Sequence, residues 1–257
     1  MSTDIEWELL GKNNPYYGVI TQEKFKNQNL TEEAKAEFFE LGKGQVLHVL
    51  NVCRCHLDSS FTPKTILDFG CGAGRLIVPF AAIAEHVVGL DVSDSMLAEA
   101  AKNCTNFDLE NVKLLKSDDE LSTLNERFDL IHSVIVFQHI PVDRGRKIFS
   151  NLLNHLNDGG VGAIQITYSR TIFEKYLGAI HKEPLFKKLS LKTKKTARAI
   201  ALKLHPNQKP KMQMNPYNLN EIFFILQSAN IHNVYFEFTD HGGELGVFLY
   251  FQKPHKV

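Results

Sequence analysis

The segment Thr65-Ile-Leu-Asp-Phe-Gly-Cys-Gly-Ala-Gly-Arg75 holds an apolar run, an acid at its end and glycines at 70, 72 and 74. Glycine permits positive φ and lets a ligand touch the backbone, so this pattern at a strand-to-helix turn is a ligand cradle. A second apolar run, His86-Val-Val-Gly-Leu-Asp91, ends in an acid 21 positions after Gly70. A carboxylate there can accept both hydroxyls of a ribose, which points to a nucleoside derivative. Charge then narrows the choice. A pyrophosphate would meet Asp68 as a like charge two residues before Gly70, and position 75 is arginine where the dinucleotide spacing needs glycine. An ammonium group would be attracted instead.

S-adenosyl-L-methionine carries an ammonium and a sulfonium at one end and an adenosine at the other, matching an acid at each of the two strand ends. ILDFGCGAGR together with VVGLDVSDSML resembles the class I S-adenosylmethionine-dependent methyltransferases, near the small-molecule branch often called type 11 or type 12. The resemblance covers Thr65 to Thr167 closely and the closing helix and strands more loosely. It implies that Asp68, Gly70, Cys71, Gly72 and Gly74 contact the methionine portion and that Asp91 holds the ribose. It further implies that Val92 and Met96 flank the adenine and that Asp118, with Asp119 as competitor, accepts from the adenine amino group. The run Phe128 to Pro141, with Phe137 counted among the cofactor contacts, would face cofactor and substrate, and Leu156-Asn-Asp-Gly-Gly160 resembles the family's turn into its fifth strand. Arg75 is taken as a surface residue at a helix start and left out of the site.

Around these motifs the chain alternates short apolar runs with helical stretches. Strands are expected at Thr65 to Phe69, His86 to Leu90, Val112 to Leu115, Phe128 to Val134 and Val161 to Thr167, with helices from Gly74, from Ser93 and over Asp143 to Leu156. That alternation specifies an α/β fold with a parallel sheet and right-handed crossovers. Asn218 with Glu221 starts another helix. Val234 to Phe238 and Gly246 to Gln252 then predict two strands around a turn containing Gly242-Gly243. The expectation is a Rossmann-like mixed sheet, mainly parallel, with one antiparallel strand near the C-terminus. Residues 1–60 read as a helical N-terminal cap, 61–168 and 215–257 as the cofactor-binding core, and 169–214 as a basic inserted lid.

The composition supports a globular chain: 257 residues, 44% hydrophobic and 23% charged, with Lys+Arg 29 balancing Asp+Glu 29. The balance is uneven locally. Between Ser169 and Met214 there are twelve lysines and arginines against two glutamates. The stretch 189–204 mixes apolar and basic residues as an amphipathic helix would, open to an acidic metabolite or to peripheral membrane contact. The longest apolar run, Ile77 to Ala84, falls well short of the roughly 20 residues that span a bilayer. The acidic start MSTDIEWELL lacks the marks of a secretory signal, so a cytoplasmic location is expected. No metal is expected, because Cys53 and Cys55 with His48 and His56 lack a second ligand pair at zinc spacing. Nucleic-acid methylation is disfavoured, since the position after the fourth strand reads Val136-Phe-Gln-His-Ile-Pro141 rather than the Asp/Asn-Pro-Pro-aromatic run that grips a flipped base.

These features point to methyl transfer onto oxygen or nitrogen of a small acceptor, with acidic and lipid-like molecules among the candidates. His139, at the end of the fourth strand, is the candidate general base. Tyr16 and Tyr17 are the candidate aromatic lid. The rival readings are an NAD-dependent oxidoreductase and a non-catalytic module that keeps the cofactor pocket.

Overall fold

A computed structural model describes residues 2–171 and 212–256. The 189–204 stretch and most of the expected 169–214 lid lie outside the described residues. Seven strands form one sheet in the order β3-β2-β1-β4-β5-β7-β6. They are β1 (Thr65–Phe69), β2 (His86–Asp91), β3 (Val112–Lys116), β4 (Phe128–Ser133), β5 (Leu156–Arg170), β6 (Asn233–Asp240) and β7 (Glu244–Gln252). The first five pair in parallel, and β7 runs antiparallel to both of its neighbours, β5 and β6. The expected mixed sheet with one reversed strand is therefore the observed one.

Strand side chains alternate between two apolar layers. On one side Ile66, Val87, Leu130 and Val161 pack with Val46, Val49, Leu50 and Cys53 of α3 (Glu32–His56) and with Ile77 and Phe80 of α4 (Ile77–Ala81). On the other, Leu67, Val88, Ile131 and Ile164 pack against Ile148, Phe149 and Leu152 of α6 (Val142–Asn154) and against Ile222 and Leu226 of α7 (Leu219–Ser228). Helix starts follow local chemistry. Thr31 Oγ1 accepts from Ala34 N at 3.2 Å to cap α3, and Ser93 Oγ accepts from Met96 N at 3.1 Å to cap α5 (Asp94–Asn106). The chain begins with α1 (Ser2–Asn13) and α2 (Pro15–Val19).

Several boundaries differ from those expected, among them β5, which begins at Leu156 and runs to Arg170 where a turn through Gly160 and a strand over Val161 to Thr167 were expected. No helix opens at Gly74: its φ of +84° lies outside the right-handed helical region, so the chain turns there and α4 starts only at Ile77. β6 and β7 extend toward each other until only His241 to Gly243 separate them, and Gly242 and Gly243 take positive φ.

The strand order reverses at β1, which lies between β2 and β4, so a crevice opens beyond the carboxyl ends of these strands. At the opposite ends Asp129 joins three segments. Its Oδ2 accepts from the backbone N–H of Lys64 (2.9 Å) and Thr65 (3.0 Å), and its Oδ1 from Asn157 Nδ2 (2.8 Å). Asp129→Ala should lower the free energy of unfolding in urea by about 1–3 kcal/mol while leaving ligand binding at the far ends of the strands unchanged. An unchanged midpoint would show that the joint carries no stability.

Candidate active site

The glycine turn is shaped by bonds to the end of β2. Gly70 N–H and Cys71 N–H both donate to the Leu90 carbonyl (2.8 and 2.9 Å), and Gly72 N–H donates to Asp91 Oδ2 (2.9 Å). Gly74 N–H donates to the Cys71 carbonyl at 3.0 Å. Gly70, Gly72 and Gly74 hold φ values of +78°, +52° and +84°, which glycine alone adopts without strain. A dinucleotide loop works by turning such N–H groups toward a pyrophosphate at a helix N-terminus. Here four of them face the protein itself, so the turn is poorly suited to an anion.

Asp91 is 9% exposed, and its second oxygen, Oδ1, accepts from Ser93 N–H at 2.8 Å. Each carboxylate oxygen has a further lone pair, leaving one on each for a vicinal diol. Burial lifts the Asp91 pKa to about 6, against the pull of the Ser93 and Gly72 amides. Asp68, at the end of β1, pairs in register with His132 of β4 and accepts from His132 Nδ1 at 2.9 Å. A carboxylate accepts only, so the imidazole proton on that side is on Nδ1.

Both acids line one cavity with Gly70, Cys71, Gly72, Val92 and Met96. Asp118, Asp119 and His139 line the same cavity. The N-terminal helices contribute Thr3, Asp4, Trp7, Gly18 and Val19 to its lining. α1 is fixed at two points. Glu8 accepts from Ser93 Oγ (2.8 Å), Ser95 N (3.1 Å) and Ser95 Oγ (2.6 Å), so it caps α5 from outside. Arg144 of α6 bonds Asp4 (3.0 Å from Nη1 to Oδ1) and also Asp119 (2.6 Å from Nη2 to Oδ1), joining α1 to the segment after β3.

The stretch 66–160 matches the family model described as a methyltransferase domain. The matched part holds β1 to β4 and the glycine turn. Two ubiquinone biosynthesis O-methyltransferases are similar to it. The one from Coxiella burnetii is 32% identical over 126 residues, covering 44% of this chain and 53% of the relative. The one from Hydrogenovibrio crunogenus is 28% identical over 117 residues, covering 44% and 48%. The chain thus spans about half the length of the curated relatives it matches. Among solved structures, the magnesium protoporphyrin IX methyltransferase of Synechocystis PCC 6803 with bound S-adenosylhomocysteine aligns over 96% of this chain and 99% of its own, with a TM-score of 0.60. At 14% identity that likeness shows a shared fold.

Several expected site residues fall away from the cavity or are held by other partners. Phe137 is fully buried in the core against Phe69, Phe149 and Tyr217, away from the cavity wall, because the 3-10 turn Phe137–His139 points it inward. Gly74 packs on Ala100 instead of lining the cavity. Tyr16 is 2% exposed, donates to Asn103 Oδ1 at 2.9 Å and meets the Phe38 ring edge-on. Tyr17 lies under the Lys26 ammonium, 5.1 Å from its ring centre. Neither tyrosine lines the cavity, whereas Trp7 of α1 does. Asp118 holds its own turn, accepting from Glu120 N (3.0 Å), Ser122 N (2.9 Å) and the Ser122 hydroxyl, which holds its pKa down. Both oxygens of Asp119 face Arg144. Asp118 thus keeps one lone pair, on Oδ2, for an adenine amino group, whereas both oxygens of Asp119 are engaged by the Arg144 guanidinium.

Arg75, left out on sequence grounds, is 8% exposed and lines the cavity. It escaped notice because its burial depends on α3, distant in sequence, where Gly42 allows a close approach: a Cβ there would lie 2.3 Å from the Arg75 carbonyl oxygen. Arg75 Nη2 donates to Gln45 Oε1 at 2.6 Å.

His139 is 5% exposed, with the Trp7 ring edge-on at 5.0 Å. Its Nδ1 lies 2.8 Å from the Gln213 carbonyl, which only accepts, so the proton is assigned to Nδ1 and the lone pair to Nε2. That lone pair faces the Gln138 amide nitrogen at a long 3.3 Å, while Gln138 Oε1 accepts from Thr167 Oγ1 at 2.7 Å. Burial holds the His139 pKa below its ordinary value and favours the neutral ring.

The double ion pair of Arg144 predicts a local effect. Arg144→Met should speed amide hydrogen exchange across α1 while leaving β1 and β4 protected. Equal exchange in α1 of both proteins would show that the Glu8 cap alone holds the helix.

Proposed function

We propose that this chain transfers the methyl group of S-adenosylmethionine to an oxygen or nitrogen of a small molecule. The observation that carries the proposal is the pairing of a glycine turn whose amides face inward with a buried Asp91 that keeps one lone pair on each oxygen. Such a site offers acceptors to a cationic nucleoside and few donors to a pyrophosphate, which counts against a nicotinamide cofactor. Asp91 would take the ribose hydroxyls, and Asp68, oriented by His132, would face the ammonium. Val92 and Met96 supply apolar surface for the adenine.

The bound sulfonium supplies an activated methyl group whose departure leaves a neutral thioether. The protein's part is then alignment, holding the attacking atom about 3 Å away and in line. Trp7 and Ile140 form an apolar wall beside His139. A hydroxyl acceptor in good geometry displaces the long Gln138 contact and yields its proton to Nε2 of His139. An amine attacking as the free base needs no such step, and His139 then shapes the wall. Among the described residues the cavity is lined by five aspartates against two arginines, which favours a neutral acceptor over an acidic one. The four cysteines are unpaired, in keeping with a reducing compartment such as the cytoplasm.

Isothermal titration tests the proposal: S-adenosylhomocysteine should bind and NAD should not, and tight binding of NAD alone would overturn it. Asp91→Ala should weaken S-adenosylhomocysteine by about 1.5–3 kcal/mol through loss of a charged acceptor. The ionised carboxylate is the binding form and its pKa lies near 6. Affinity should therefore fall about tenfold from pH 7 to pH 5 and lose this dependence in Asp91→Ala. A flat pH profile in the unsubstituted protein would place the ribose elsewhere.

A further inference from the structure

We infer that Arg75 binds the carboxylate of the amino-acid end of the cofactor, an inference that rests on the reading just proposed. Three observations lead to it. Arg75 is more than nine-tenths buried and lines the cavity, yet among the described residues its Nε has no hydrogen-bond partner. A buried guanidinium N–H left unpaired carries a large desolvation cost, so such a group usually marks a place where a ligand completes the bonding. The guanidinium is also fixed in place. Gln45 on α3 accepts from Nη2 at 2.6 Å, and Gly42, one helical turn earlier, gives the Arg75 backbone room against the helix. Finally, Asp68 lines the same cavity, within electrostatic reach of Arg75.

Asp68 and Arg75 thus present one carboxylate and one guanidinium to the same volume. A zwitterionic amino acid carries the complementary pair of charges, ammonium toward Asp68 and carboxylate toward the free Nε. An adenosine lacking that end would use Asp91 but leave Arg75 unsatisfied. Gln45 is a positioning residue, since it acts on the ligand only through the guanidinium. Burial, which pulls the Arg75 pKa down, agrees with a site that favours an incoming anion.

The test compares two ligands on the intact chain by isothermal titration: S-adenosylhomocysteine, and its analogue lacking only the carboxylate. Unsubstituted protein should bind the first about 10- to 100-fold more tightly, the range expected for one charge-assisted hydrogen bond. In Arg75→Met that gap should close, with the analogue bound as before, and Gln45→Leu should narrow it. The comparison in unsubstituted protein needs no variant, so it stands even if Arg75→Met fails to fold. Equal binding of the two ligands, or the same gap retained in a folded Arg75→Met, would overturn the assignment of Arg75. Failure of the unsubstituted protein to bind either ligand would overturn the cofactor reading as well.

Discussion

The end of β2 dictates the shape of the site. The Leu90 carbonyl takes two N–H groups from the glycine turn, and the Asp91 carboxylate takes a third from Gly72 and a fourth from Ser93. Those bonds tie the loop after β1 to the loop after β2 and force the positive φ values at Gly70 and Gly72. They also settle the polarity of the crevice. With its amides turned away, the loop leaves the two carboxylates to face a ligand, a setting for positive charge rather than for phosphate.

The parts of the chain before the sheet complete the enclosure. α3 covers one face of the sheet and reaches the site through Gly42 and Gln45, which seat Arg75. α1 adds Trp7 to the cavity lining and is held there by Glu8 and Asp4. After the described residues resume, the Gln213 carbonyl accepts from His139 Nδ1 and Asn215 donates to the Gln138 carbonyl at 2.7 Å from its backbone, fixing the turn that carries His139. A scaffold common to many activities is thereby fitted with walls supplied by segments outside the matched stretch 66–160.

The elements that position the site were legible because their causes are local. Apolar runs ending in Asp68 and Asp91 became β1 and β2, and Thr31, Ser93 and Asn218 each cap the helix expected after them. What stayed hidden depends on contacts between segments far apart in sequence. Arg75 looked like a surface residue because nothing nearby shows that α3 covers it. Tyr16 looked like a lid, but Asn103 and Phe38 draw it into a small core of its own. Phe137 sits next to pocket residues in sequence, and only the 3-10 turn separates its inward direction from that of His139. The late start of α4 was readable in principle, since three alternating glycines can hold a turn open past the place where a helix is expected.

The most direct measurement is a crystal structure of the chain grown with S-adenosylhomocysteine at neutral pH. The account predicts both ribose hydroxyls on the Asp91 carboxylate, the amino-acid end between Asp68 and Arg75, and the Gly70, Cys71 and Gly72 amides still turned toward β2. A nucleoside bound away from Asp91, or a glycine turn that rotates its N–H groups out to hold an anion, would contradict it.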